Sequence, residues 1–108
     1  ETPLSFFGHT HVQGGFIFCP NGVKRIEQTS GGLEQQVLEL EDSALYLINP
    51  GSVGQPRDGD PRAAYVLYEP QERRLEFRRV SYPIEKAQAK IVKAGLSELL
   101  AARLATGT

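Results

Sequence analysis

Short apolar runs separated by turn residues fill most of the chain. Leu4 to Gly8 is apolar and predicts a buried strand, and Gly14-Gly15 breaks the run. Phe16-Ile17-Phe18-Cys19 is a second run, closed by the turn signal Pro20-Asn21-Gly22, with Val23 to Gln28 as its expected hairpin partner. Thr29-Ser30-Gly31-Gly32 reads as another turn. Gln36 to Glu41 alternates, placing Leu38 and Leu40 on one face and Glu39 and Glu41 on the other, as in a half-buried strand. Ala44 to Ile48 and Ala63 to Tyr68 are continuously apolar and predict central strands covered on both faces. Glu69 to Arg73 is a turn, and Arg74 to Val80 predicts a more exposed strand with Leu75 and Phe77 inward.

After Pro83 the period changes. Proline suits the first position of a helix, and Ile84, Ala87 and Ile91 form one stripe. Gly95 interrupts it; Ser97 can cap a second helical stretch with Leu99, Leu100 and Leu104 on its inner face. The whole reads as strands over 1–82 followed by a helical segment over 83–106. Asn49 to Arg62 differs in kind, with three Pro and three Gly in fourteen residues and no periodicity. A loop of that length inside a compact domain is usually functional.

Composition narrows the field. At 108 residues the chain is one domain or part of one. A net charge of −1 excludes binding to nucleic acid or acidic membranes by bulk charge. An apolar content of 40% is enough for a core and excludes an unstructured segment. No run approaches the roughly 18 apolar residues that span a bilayer, and no signal peptide opens the chain. The single cysteine, Cys19, cannot form an internal disulfide and reads as a buried structural thiol, which fits a cytoplasmic setting. The chain has no Met and opens Glu1-Thr2-Pro3, so residue 1 is expected to be a cut point within a longer protein.

Two segments carry candidate chemistry. In extended backbone, residues i and i+2 share a face, so His9 and His11 at the end of an apolar strand present two imidazoles that suit one metal ion or two adjacent ones. The plainer reading is two polar residues where a strand leaves the core. Asn49-Pro50-Gly51-Ser52 is a turn by composition, or a rigid loop at the C-terminal edge of a sheet. Arg57 and Arg62 either clamp a phosphate or pair with Asp58 and Asp60. Arg73-Arg74 and Arg78-Arg79 interleave with Glu69, Glu72 and Glu76 and read as a solvated charged strand. Tyr65, Tyr68 and Tyr82 read as core or interface residues.

Taken together, Phe7-Gly8-His9-Thr10-His11 and Leu47-Ile48-Asn49-Pro50-Gly51-Ser52-Val53-Gly54 resemble the second half of calcineurin-like metallophosphoesterases, in particular the small bacterial and archaeal phosphodiesterase branch. The stretch from Gln55 to Tyr65 resembles a subgroup of that branch, and the resemblance runs from Leu4 to Leu104. It implies an α/β fold, of α+β character in this fragment. The expected architecture is the second half of a two-sheet sandwich, mostly antiparallel, followed by C-terminal helix, with 1–108 as the C-terminal part of one domain.

The resemblance also implies a function. His9 matches the family histidine on the second metal, and His11 the one on the first. The cofactors implied are two divalent ions, among manganese, iron, zinc and nickel, and the substrate is a small phosphodiester or phosphomonoester. Asn49, Gly51, Ser52 and Arg57 are the candidate substrate-binding residues. The family's remaining ligands, and its general acid, lie upstream of the His-x-His motif. The parent is therefore expected to be a hydrolase and this fragment alone inactive, with no catalytic residue of its own. The expected partner is the missing N-terminal half; self-association through uncovered sheet faces is the alternative, and no membrane is implied. A second reading is a non-catalytic interaction scaffold on the same fold, as in the retromer-subunit branch.

Overall fold

The structure is a computed structural model that describes residues 3–27 and 34–108. The turn expected at Thr29 to Gly32 lies outside the described residues. The elements are β1 (Leu4–Phe6), β2 (Gly14–Cys19), β3 (Gly22–Ile26), β4 (Gln35–Glu39), β5 (Leu45–Asn49), β6 (Ala63–Glu69), β7 (Arg74–Val80), α1 (Ile84–Lys93) and α2 (Glu98–Thr106). One sheet has the order β1-β5-β2-β3 and the other β4-β7-β6. β1 runs parallel to β5, and the other pairings are antiparallel. This is the mostly antiparallel two-sheet arrangement with terminal helices that the resemblance implied.

The core lies between the sheets. Period-2 alternation turns Tyr46 and Ile48 of β5 inward from one sheet, and Leu75 and Phe77 of β7 from the other. Ile26 and Ala44 complete the buried cluster, with Leu4, Ile17, Cys19, Leu38 and Val66 at its margin. Burying each large side chain contributes about 1.5–3 kcal/mol.

Three expectations are corrected. β6 is an edge strand and β7 is central, the reverse of the reading from apolar content. β7 tolerates its charges because Arg78 pairs with Glu76 at 2.7 Å and Arg74 with Glu72 at 2.9 Å on its outer face. On β6, Leu67 and Tyr68 are exposed. Pro83 precedes the first helical residue as the cap of α1, one position earlier than expected. In α2 the buried positions are Ala101 and Leu104, whereas Leu99 and Leu100 are exposed. Ala101 lies on the side of α2 that meets α1, where Gln88 Nε2 donates to Ala101 O at 2.9 Å, and the α2 terminus docks on residues 59–60. Gly59 N–H donates to Gly107 O at 2.9 Å, and a Cβ on Gly107, whose φ is +67°, would lie 2.8 Å from Asp60 backbone. Ser97 caps α2 as expected, its hydroxyl accepting from Leu99 N–H.

The parallel register has a consequence for position. Leu4 opposes Tyr46 and Phe6 opposes Ile48, so the segments that follow β1 and β5 leave from one edge of the sheet. β2 begins at that same edge, with Gly14 opposite Asn49.

Candidate functional site

Residues 7–13 form a loop between β1 and β2. His9 (φ 79°) and His11 (φ 59°) both lie in left-handed backbone, a region that non-glycine residues avoid. The i, i+2 rule for extended chain therefore does not govern this pair, and the loop itself presents the imidazoles. Such conformations cost about 1–3 kcal/mol each and persist where the surroundings hold them.

The surroundings are supplied by the Asn49 to Arg62 segment. Arg57 N–H donates to His11 O at 3.0 Å. The Nδ1 of His11 lies 2.8 Å from Gln55 O; a carbonyl only accepts, so Nδ1 carries a proton, and in the neutral ring the lone pair is on Nε2. Asn49 Nδ2 donates to Thr10 Oγ1 at 2.8 Å, and Gly51 N–H donates to Asn49 Oδ1 at 2.9 Å. Gln55 N–H donates to Ser52 Oγ at 2.9 Å. At Gly51 (φ +89°) an added Cβ would meet Ala64 Cβ at 2.8 Å and Gln13 Cβ at 3.0 Å, so glycine is required there. The two loops thus lie against each other at one sheet edge.

The expected substrate residues divide. Asn49 is 2% exposed and uses both ends of its amide, and the Gly51 N–H is also engaged, so these two residues build the loop. Arg57 is exposed, with Nη2 3.1 Å from Gln55 Oε1. Arg62 forms a forked pair with Asp60, with Nη2–Oδ2 at 2.7 Å and Nε–Oδ1 at 3.0 Å. That hydrogen bond holds the Asp60 carboxyl below the ordinary carboxylate value. A cleft of about 620 Å³ opens beside Thr10 and Asn49, lined also by Phe7, Phe16 and Arg25; neither His9 nor His11 lines it.

Sequence reasoning missed a buried polar cluster behind the histidine loop. Arg79, read as part of a solvated strand, is 3% exposed, and Gln13 is 1% exposed. Arg79 Nη2 pairs with Asp58 Oδ2, and Arg79 Nε donates to Gln13 Oε1 at 3.1 Å. Gln13 N–H donates to Asp58 Oδ2 at 3.2 Å, and Gln13 Nε2 lies within 3.2 Å of the carbonyls of Pro50, Tyr65 and Arg78. The signal was present in the alternation: Leu75, Phe77 and Arg79 share one face of β7.

No protein-family model matches this chain. It is 40% identical over 104 residues to an uncharacterized protein of Methanocaldococcus jannaschii, a match covering 96% of this chain and 39% of that protein. The crystal structure of a metallophosphoesterase from Sphaerobacter thermophilus matches the whole chain with a TM-score of 0.80 and 41% identity, over 43% of its own length. In sequence and in fold, this chain matches part of a metallophosphoesterase. It spans about two fifths of the length of either relative.

A metallophosphoesterase site needs divalent ions, and the residues present fit them in part. The His11 ring, with Nδ1–H on a backbone carbonyl and Nε2 available, has the orientation typical of a metal-bound imidazole. Among the described residues, no group of three or more His, Cys, Asp and Glu gathers into a cage. His9 and His11 are thus not joined by a third such side chain among the described residues.

Proposed function

We propose that the protein to which this chain belongs is a divalent-metal-dependent phosphoesterase, and that His9 and His11 are two of its metal ligands. The observation that carries this reading is the left-handed histidine loop, with His11 Nδ1 held on Gln55 O, in a chain similar to a metallophosphoesterase. His11 binds through Nε2, and His9 serves a neighbouring ion. Imidazole together with carboxylate ligands suits manganese, iron, zinc or nickel. When bound, such ions supply an activated water and neutralise charge on the phosphoryl oxygens. The Asn49–Thr10 bond and the Gly51 turn hold the loop that carries the rings. Arg57, exposed and with its backbone N–H on the His11 carbonyl, reaches a phosphate oxygen of a small phosphoester, and the Ser52 hydroxyl, which accepts from Gln55 N–H, offers its own proton as a second donor. The remaining ligands and the general acid come from outside these 108 residues.

The test uses the full-length protein. Chelation is expected to abolish hydrolysis of a nitrophenyl phosphodiester or phosphomonoester, and one of the four metals to restore it. His9→Ala and His11→Ala should each lower kcat/KM at least a hundredfold. A folded protein inactive with every one of those metals would support the interaction-scaffold reading in place of the enzyme.

A further inference from the structure

We infer that Arg79, Asp58 and Gln13 are positioning residues for the metal-binding loop; the inference rests on the proposed role of His11. The cluster is built from groups that are costly to bury. The side chains of Arg79 and Asp58 are 0% and 1% exposed. A buried ion pair is a poor source of net stability, and an apolar replacement of similar volume often does as well. What this one does is join three segments, the 7–13 loop, the 49–62 loop and β7. Gln13 follows His11 by two residues and Asp58 follows Arg57, the residue whose N–H holds the His11 carbonyl. Arg79 lies on β7, in the opposite sheet, and reaches Gln13 Oε1, Asp58 Oδ2 and, at 3.4 Å, Arg62 O. The carboxylate of Asp58 then accepts the Gln13 N–H, and Gln13 Nε2 spans to Pro50 O on the second loop. His11 is thereby bracketed on both sides by groups that Arg79 fixes to the far sheet.

The chemical consequence is orientation. A left-handed histidine relaxes toward ordinary backbone unless its flanks are held. Relaxation would swing the ring away from Gln55 O and move Nε2 off the ion. Partners one step behind a ligand typically change metal affinity ten- to a hundredfold.

Cobalt(II) titration of the metal-free full-length protein, read by visible absorption, tests this, with circular dichroism checking the fold. Arg79→Met should raise the Kd of the ion held by His11 ten- to a hundredfold and shift its absorption band. Should Arg79→Met not fold, the pair Asp58→Asn/Arg79→Gln leaves no buried unpaired charge and should show a smaller loss of the same ion. In a His11→Ala background, Arg79→Met should change affinity by less than about twofold, because its effect passes through His11. If His11→Ala loses the ion while the folded Arg79 variants keep the wild-type Kd and band, the positioning role is overturned. Equal losses from Arg79→Met with and without His11 overturn it as well. If His11→Ala itself leaves cobalt binding unchanged, the ligand assignment falls first and the positioning role with it.

Discussion

Asp60 and Gly51 show how single residues shape the site loop. The Asp60 carboxyl accepts hydrogen bonds from Arg62 Nε and Nη2, and these hold its pKa below the ordinary 3.8. Its folded pKa is lower than its unfolded one, so the stability it contributes is complete above about pH 4 and is lost as pH falls through the folded value. Asp60→Asn should therefore lower stability near neutrality and flatten the acid limb. Denaturation of the full-length protein between about pH 3 and pH 7 checks this; an acid limb unchanged by the substitution would count against it. Gly51→Ala places a Cβ against Ala64 and Gln13 at φ +89°, and should cost about 1–3 kcal/mol, read as a fall in Tm. If the full-length protein is the proposed phosphoesterase, Arg57→Ala should raise its KM with little change in kcat, provided the guanidinium holds the phosphate in ground and transition states alike. An unchanged KM would remove Arg57 from substrate binding.

Among the elements, the contrast between β6 and β7 is the most instructive. Apolar runs and turn residues in the sequence locate the strands, and alternation places Leu75 and Phe77 inward, as observed. Which strand is central is not legible from apolar content. β7 carries Arg74, Glu76 and Arg78 on its outer face in ion pairs and Arg79 on its inner face paired with Asp58, while β6 leaves Leu67 and Tyr68 uncovered. The His-x-His and Asn-Pro-Gly-Ser segments were legible as candidate sites from residue type and resemblance. Their local conformation was not, because left-handed backbone at His9 and His11 is imposed by contacts from residues 49–62. Arg79 was misread because charge was weighed before register. The burial pattern predicts a clear split among truncations. Phe77→Ala, at 1% exposure, should cost about 3–5 kcal/mol. Leu67→Ala and Leu99→Ala should stay within about 0.5 kcal/mol in the isolated chain, by denaturant unfolding. Equal costs for Phe77 and Leu67 would show that the core does not lie between the sheets.

The molecule as a whole exposes 6924 Å², against roughly 5,900 Å² expected for a folded monomer of its mass. Part of that surface is the outer face of the first sheet, where Phe18 lies opposite both Val23 and Leu45, Phe16 sits two residues before Phe18 on the same face, and all four are exposed. Strands apolar on both faces are the mark of a sheet covered on both sides. The isolated 108-residue chain should therefore self-associate on sedimentation or bind an apolar-surface dye; a compact monomer that binds none would show a closed core. In the full-length protein the same face is expected to be covered by the rest of the chain. On the proposed function, His9 and His11 bring two metal ligands to a dinuclear site. Calorimetric titration of the metal-free full-length protein with manganese tests it most directly. The prediction is two ions per chain for the wild type and the loss of one tight site in each of His9→Ala and His11→Ala. Two tight sites retained in both variants would contradict it.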